Sequence, residues 1–168
     1  VLVRADAAFE LRDYPSLVVA EVSHSGSRER ASGASFRRLA AYIFAQDRPA
    51  GGESIAMTAP VAQGAVGQDR WTIQFFMPSE YTMASLPVPR DPAVVLAVVP
   101  AETYAVLRFS GLGSARAVAE KEAELDAALT GSGWAAAGDP VVWFYDPPWT
   151  LPPLRRNEVA VRVTRQAR

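Results

Sequence analysis

The residues best suited to bind a ligand are concentrated in a short proline-rich stretch near the carboxyl end of the chain. Residues 144–158 read FYDPPWTLPPLRRNE and include four prolines and three aromatic residues. Proline fixes its backbone angle and donates no hydrogen bond, so this run forms neither a helix nor a central strand. A loop ordered in advance by proline places its rings at a low entropy cost. The stretch therefore predicts a stiff loop that presents flat apolar surface to a flat ligand or to the core.

Three aromatic residues and two arginines in and beside this stretch are candidate ligand contacts. Strand alternation puts Trp143 and Tyr145 on one side of a strand, and Trp149 follows in the loop. Arg155 and Arg156 are cations, and arginine pairs well with planar carboxylates. The alternative is that one of the arginines pairs with Glu158 or a backbone carbonyl and only fixes the loop.

Few residues are candidates for binding a metal or for catalysis. His24 is the only histidine, and its neighbours include nothing that completes a metal or catalytic set. Tyr42 and Met57 are other conceivable metal ligands, although core or pocket packing is the simpler role for Met57. The segment GLGSAR at 111–116 is most simply the start of a helix. No serine-hydrolase, zinc-protease, P-loop or dinucleotide motif is present, so we expect a binding protein and not an enzyme.

The composition narrows the possible classes of protein. The chain has 168 residues, a net charge of −1 and no cysteine. We therefore expect a single domain spanning residues 1–168, without disulfides or zinc–thiolate sites, and no nucleic-acid partner. No apolar run reaches the length of a membrane span, which predicts a soluble protein, and we expect a monomer. The chain starts at Val1, so a processed segment could precede it. The sequence does not distinguish a cytoplasmic from a periplasmic location.

Two stretches of the chain resemble each other at an offset of 85 residues. LRDYPSLVVAEVSHSG at 11–26 and LAVVPAETYAVLRFSG at 96–111 share five identical positions, and apolar residues fill many positions between. In this alignment His24 corresponds to Phe109, which favours a packing role for the histidine. An offset of about half the chain predicts an internal duplication and not a short-period solenoid.

Similar elements follow each copy. Helical periodicity follows Gly26, with Leu39 and Ile43 on its apolar side, and again follows Gly111. Strand-like segments lie at 71–78, 141–145 and 158–163, and a polar loop over 62–70 precedes the first of them. Each half, about 9–81 and 94–163, therefore reads strand–strand–helix–strand–strand. This pattern predicts an α+β fold with antiparallel sheets, two helices and a ligand cleft between the halves.

Six motifs are spread over about Phe9 to Val163. They are FELRDYP (9–15), FRRLAAYIF (36–44), IAMTAPV (55–61), FFMPSEY (75–81), FSG (109–111) and YDPPWTLPPLRRNEV (145–159). The most specific is the last, in which Tyr-Asp-Pro-Pro is followed, after a short spacer, by Arg-Arg-Asn-Glu-Val. Together these motifs resemble those of the SOUL haem-binding protein family.

The resemblance implies a duplicated β-α-β unit that forms a distorted antiparallel β-barrel with two helices, similar to gyrase-inhibitor-like ligand-binding modules. It also implies non-covalent binding of haem or a related tetrapyrrole in an apolar groove near the first helix and the Pro-Pro loop. Asp13 stands where some members have a proposed axial histidine. Haem iron is usually held by His, Cys, Met or Tyr, so binding without an axial protein ligand is expected, with His24 the first candidate if iron is ligated. The implied contacts are Leu39, Tyr42, Ile43, Met57, Trp143, Tyr145, Trp149, Arg155 and Arg156.

The resulting hypothesis is a haem or tetrapyrrole carrier or buffer. Two alternatives stay open. One is a general binder of hydrophobic small molecules of the gyrase-inhibitor-like kind. The other is an enzyme that acts on a bound tetrapyrrole or another apolar substrate, with Glu158 or Glu53 as the acid.

Overall fold

A computed structural model of the protein describes residues 2–5, 8–26, 28–46, 52–66, 69–147 and 149–166. Pro148 of the proline-rich stretch lies outside these residues. The chain forms two compact units: unit 1 comprises Val1–Pro15 and Pro100–Arg168, and unit 2 comprises Ser16–Val99. The elements in chain order are β1 (Leu2–Ala5), β2 (Glu10–Tyr14), β3 (Leu17–Ser25), α1 (Arg28–Ile43), β4 (Val61–Ala65), β5 (Arg70–Phe76), β6 (Val95–Val99), β7 (Glu102–Phe109), α2 (Ala115–Leu129), β8 (Trp134–Ala136), β9 (Val141–Phe144), a short 3-10 turn (Pro152–Leu154) and β10 (Asn157–Arg165).

Unit 1 is an antiparallel sheet with one helix. Its strands lie in the order β1-β2-β7-β10-β9, and β8 pairs with the far end of β10. The helix α2 begins after Ser114, whose side chain accepts a hydrogen bond from the Ala117 amide, as an N-cap residue does. Alternate strand residues and one face of the helix meet in a buried apolar core that includes Leu107, Leu125 and Val159.

Unit 2 is also an antiparallel sheet with one helix. Its strands lie in the order β6-β3-β5-β4. The predicted helix after Gly26 is α1, and Leu39 and Ile43 are buried with Ile73 and Phe75 in the core beneath it. One sequence prediction is wrong: residues 62–65 of the expected loop continue strand β4, because their backbone pairs with β5 from Ala62↔Gln74 to Ala65↔Trp71.

The two units share one topology. Strands that correspond at the 85-residue offset, β2 with β6 and β3 with β7, hold the same places in the two sheets. Gly26 and Gly111 follow β3 and β7 with positive φ angles of 102° and 109°, a conformation that favours glycine. Their amides donate to the carbonyls of Asp69 and Pro152, respectively. An internal duplication predicts this arrangement, and the duplication with halves at 9–81 and 94–163 stays a prediction.

The first strand of each sequence half contributes to the compact unit formed by the other half. Strand β2 pairs with β7, and β6 pairs with β3, so neither pairs with the strand that follows it across Pro15 or Pro100. Both sheets are antiparallel and each carries a helix, which confirms the predicted α+β class. In the part of the chain that the structure describes, no helix is long and apolar enough to cross a membrane.

The core of unit 1 gives a test of the packing. Leu125 is 1% exposed and Leu112 is 67% exposed. Leu125→Ala should lower the free energy of unfolding by about 3 kcal/mol, because it removes buried methyl groups and leaves a cavity. Leu112→Ala, the matched control, should change it by less than about 0.5 kcal/mol. Urea denaturation measures both, and equal losses in the two variants would contradict the assigned core.

Candidate functional site

The sheet of unit 1 has two chemically different faces. Val159, Val161 and Val163 of β10 point to the core beneath α2, so Glu158 and Ala160 point to the other side. The residues directly opposite each other across an antiparallel pair share a face, which places Trp143 beside Glu158. Arg12 and Tyr104 are paired in the same way on β2 and β7. We call this side of the unit 1 sheet, away from α2, the polar face.

A buried carboxylate organises the polar face. Glu158 has no exposed surface. Arg12 donates to it twice, from Nη1 to Oε2 at 2.7 Å and from Nη2 to Oε1 at 3.0 Å. Arg156 donates to Oε1 from Nε at 2.9 Å and from Nη2 at 2.6 Å. The Tyr145 hydroxyl donates to Oε2 at 2.8 Å. A buried charge is stable only when it is paired and hydrogen-bonded, and this one is paired twice.

The hydrogen bonds fix the charge states of the cluster. Burial alone would raise the pKa of Glu158, but the hydrogen bonds from Arg12, Tyr145 and Arg156 outweigh it and lower this pKa below its usual 4.5. Burial alone would lower the pKa of Arg12, but its hydrogen bonds to Glu158, Tyr14 and Glu10 raise it. Burial and the bond to Glu158 both raise the pKa of Tyr145. At neutral pH the site therefore holds an ionised carboxylate, two guanidinium cations and a protonated phenol.

Aromatic rings surround the cluster. The ring of Tyr14 meets those of Trp143 and Tyr104 edge to face, with centroids 5.3 Å and 5.9 Å apart. The rings of Tyr104 and Trp143 are 5.4 Å apart. The Arg156 guanidinium stacks on Tyr145, with Cζ 4.1 Å from the ring centroid. Trp143 is buried, whereas the three tyrosines are half-buried and keep part of each ring accessible. The face combines flat apolar surface with cations, a combination suited to a flat, polar-edged ligand.

Hydrogen bonds join the two ends of the proline-rich loop, and another lies inside it. The Tyr145 amide donates to the Arg156 carbonyl at 3.2 Å, and the Arg156 amide donates to Asp146 Oδ2 at 2.6 Å. Arg155 Nε donates to the Thr150 carbonyl at 2.8 Å. Both arginines thus make the loop-fixing contacts that the sequence allowed as an alternative, and their expected role toward a ligand stays a prediction.

Three large apolar side chains of this loop point into solvent. Trp149 is 82% exposed, Leu151 66% and Leu154 72%. These side chains contribute almost nothing to the core, so their apolar surface is available to a ligand or partner.

Four expected contacts lie in unit 2. Leu39, Tyr42 and Ile43 are buried in its core, and the Tyr42 hydroxyl donates to the Pro87 carbonyl at 2.8 Å. Met57 is 45% exposed. Apolar periodicity in the sequence identified the buried side of α1, but it does not distinguish a packed core from a ligand groove.

His24 lies on β3 opposite Trp71. Both ring nitrogens are buried, and neither has a hydrogen-bond partner among the residues that the structure describes. Burial lowers the pKa of this imidazole. Within the described ranges, three or more His, Cys, Asp or Glu side chains are nowhere close enough together to hold a metal ion.

Arg12, Tyr14 and Tyr104 were missed by the sequence reasoning. Arg12 is 5% exposed although it is charged, because the β2–β7–β10 pairing brings it to Glu158 from a distant part of the chain. The only signal in the sequence is the alternation in ELRDY, which puts Arg12 and Tyr14 on the side opposite Leu11. That signal does not show what the two side chains meet.

Unit 2 carries a shallow depression on the outer side of α1. It encloses about 340 Å³ and is lined by Ala34, Arg37, Arg38, Ala41 and Asp91. Arg38 Nη1 donates to both Asp91 oxygens at 2.9 Å, so this arginine is already engaged. The depression has no aromatic lining, which makes it a poorer match for a flat ligand than the polar face of unit 1.

Comparison with known proteins identifies both family and fold. A family model described as SOUL heme-binding protein matches residues 1–162. A comparison with curated protein sequences finds no match.

Several solved structures share the fold at low sequence identity. The C-terminal domain of EcmrR has a TM-score of 0.72 and 11% identity, covering 99% of this chain and 100% of that one. A hydrolase from Listeria innocua has a TM-score of 0.64 and 14% identity over 93% and 91% of the two chains. SAV2435 bound to tetraphenylphosphonium has a TM-score of 0.53 and 10% identity over 93% of each chain.

The Glu158 cluster predicts that one isosteric substitution strongly lowers the free energy of unfolding. Glu158→Gln keeps the shape but removes the charge that balances buried Arg12, so the free energy of unfolding should fall by about 3 kcal/mol or more. Glu120→Gln, the control, breaks the exposed pair with Arg116 and should cost less than about 0.5 kcal/mol. Urea denaturation at pH 7 compares the two. A loss below about 1 kcal/mol for Glu158→Gln would show that the cluster contributes little.

The lowered pKa of Glu158 predicts a pH dependence. Its stabilising contribution is complete above the unfolded-state pKa near 4.5 and is lost as the pH falls through the lower folded-state pKa. The difference in unfolding free energy between the parent protein and Glu158→Gln should therefore shrink as the pH falls below about 4.5. Denaturant titrations from neutral to acidic pH measure this difference. A difference that stays constant with pH would mean that Glu158 titrates alike in both states.

Proposed function

Because the chain belongs to the SOUL heme-binding protein family, we propose that it binds haem or a related tetrapyrrole non-covalently and serves as a carrier or buffer. The family match over residues 1–162 is the observation that carries this proposal. The polar face of unit 1 supports it, because half-buried rings and a loop ordered by its own hydrogen bonds suit a flat ligand.

We propose that Trp143, Tyr145, Trp149, Arg155 and Arg156 form the unit 1 contacts of the ligand. Trp149, on the fixed loop, would bury much of its exposed ring against a tetrapyrrole. Tyr145 and Arg156 are already stacked and would present a combined surface.

Leu39, Tyr42, Ile43 and Met57 are the proposed contacts in unit 2. Among these four, Met57 has its side chain exposed and reaches a ligand without rearrangement. The other three would reach it only if the core around α1 opened.

The proposed binding mode relies on apolar contact more than on iron ligation. Asp13, at the position of the expected axial histidine, accepts a hydrogen bond from the Thr103 hydroxyl at 2.6 Å. A carboxylate held in this way is a poor haem-iron ligand. His24 has both ring nitrogens buried, so β3 would have to shift before either nitrogen met iron.

A second candidate is a general binder of hydrophobic small molecules. It is supported by the likeness to SAV2435, whose structure was solved with tetraphenylphosphonium. An enzyme is a weaker candidate, suggested by the Listeria innocua hydrolase of similar fold. Glu158 is ionised at neutral pH and accepts hydrogen bonds at both oxygens, so it has no proton to give as a general acid. Glu53 is exposed, and the structure gives it no catalytic partner among the described residues.

Titration with matched ligands tests these candidates. Haemin and metal-free protoporphyrin IX should bind within about tenfold of each other, or about 1.4 kcal/mol, because the iron contributes little. His24→Ala should keep haemin affinity within about tenfold of the parent. Absorbance and tryptophan fluorescence report the binding, and thermal melts check folding.

Each contrary outcome points to a different correction. A hundredfold loss with His24→Ala, together with loss of a sharp Soret band, would make His24 the axial ligand. Binding of tetraphenylphosphonium in preference to both porphyrins would favour the second candidate. Failure of both porphyrins to bind would overturn the proposed function.

A further inference from the structure

Two hydrogen-bond donors beside Glu158 have no acceptor among the residues that the structure describes. Arg156 uses Nε and Nη2 on Glu158, and its Nη1 amino group has no acceptor there. Its side chain is 38% exposed, so this edge reaches solvent. The Tyr14 hydroxyl accepts a bond from Arg12 Nη1 at 3.4 Å, and its own hydrogen has no acceptor within the described ranges.

Arg156 is held in advance in the position that a ligand would need. One edge of its guanidinium is bound to Glu158, and one face lies on the Tyr145 ring at 4.1 Å. An arginine side chain normally loses conformational entropy when it binds a ligand. Here most of that entropy is already lost when the protein folds. The remaining edge carries parallel N–H groups, which match the two oxygens of a carboxylate. The carboxylate of a ligand at this site would meet guanidinium N–H groups of Arg156 that are already oriented.

The free donors of the cluster favour anions. Glu158 faces the guanidinium groups of Arg12 and Arg156, and Arg12 also pairs with the more exposed Glu10. The formal charges of these four groups balance, so what attracts an anion is the unused N–H edge of Arg156. All five hydrogen bonds to Glu158 come from Arg12, Tyr145 and Arg156, so its oxygens are occupied. A cation that approached from the Arg156 side would meet a positive group and not the carboxylate.

We propose that the polar face of unit 1 is a receptor for flat carboxylic acids and rejects lipophilic cations. The carboxylate of the ligand binds the free edge of Arg156, the Tyr14 hydroxyl adds a second donor, and the ring system lies on the exposed parts of Tyr14, Tyr104 and Tyr145. This inference rests on the proposed tetrapyrrole binding and names the feature of the ligand that is recognised. It separates this chain from SAV2435, which has a similar fold and was solved with a lipophilic cation.

The test compares an acid with its ester on the same ring. Deuteroporphyrin IX carries two carboxylates, and its dimethyl ester carries none. The parent protein should bind the acid at least about tenfold more tightly than the ester, the worth of one charge-assisted hydrogen-bonded pair. Arg156→Gln should reduce this ratio to near one, and Tyr14→Phe should reduce it about threefold while keeping the ring. Tetraphenylphosphonium should not displace the acid.

Two control variants separate recognition from folding and from general charge. Arg116→Gln removes an exposed cation on α2 and should leave the ratio unchanged. Arg156→Lys keeps the charge but loses the fork, so it should retain only part of the preference. If Arg156→Gln melts at a much lower temperature than the parent, the inference is still tested by the acid-to-ester affinity ratios of the parent and of Tyr14→Phe. Both ratios are measured without the Arg156→Gln variant.

The outcomes distinguish this inference from the proposed function. Equal binding of acid and ester by the parent protein overturns the inference and leaves tetrapyrrole binding intact. Retention of the full ratio in a folded Arg156→Gln variant also overturns it, since the carboxylate must then bind elsewhere. Failure of both acid and ester to bind overturns the proposed function itself.

Discussion

The buried charge of Glu158 is the constraint on which the polar face of unit 1 depends. A carboxylate without exposed surface is stable only if its partners are held in place, and those partners come from distant parts of the chain. Arg12 lies on β2, Tyr145 follows β9, and Arg156 precedes β10. The single carboxylate thus joins two strands and both ends of the proline-rich loop. Loss of any one partner leaves a charge or a hydroxyl unsatisfied in a nonpolar setting.

The same interaction shapes the ligand recognition that we propose for this face. A buried carboxylate with a free oxygen would attract cations, whereas one with both oxygens occupied presents the outer edges of its own partners. On this face those outer edges belong to Arg156 and to Tyr14, which contacts Arg12. In the proposed site, the charge of the ligand would therefore be selected by the outer donors of Arg156 and Tyr14 and not by the acidic residue at the centre.

The shared topology of the two units makes their chemical difference informative. On the corresponding side of the unit 2 sheet, Gln74 Nε2 donates to Glu21 at 2.8 Å, and the hydroxyls of Ser23 and Thr72 are 2.8 Å apart. These pairs include no arginine and no stacked ring. The same strand arrangement therefore carries arginines and stacked rings in unit 1, and these two side-chain hydrogen bonds at the corresponding place in unit 2. If the chain arose by duplication, the two copies have since diverged in this layer.

Several features of the protein were determined by the sequence alone. Periodicity identified α1, α2 and the strands β5, β9 and β10, because apolar spacing is a local property of helices and strands. The motif around Tyr145 to Val159 indicated the family, and its prolines indicated an ordered loop. The 85-residue offset identified corresponding strands that hold the same places in both sheets.

Only the tertiary structure decided which side chains meet. Alternation predicts that a strand has two faces, but not which strand lies beside it or what covers each face. For this reason the burial of Glu158 and Arg12, the exposure of Trp149 and the core position of Leu39 could not be predicted. The long-range pairing of β2 with β7, and of β7 with β10, brings Arg12 to Glu158. The site depends on this contact between residues 146 positions apart, which no local pattern encodes.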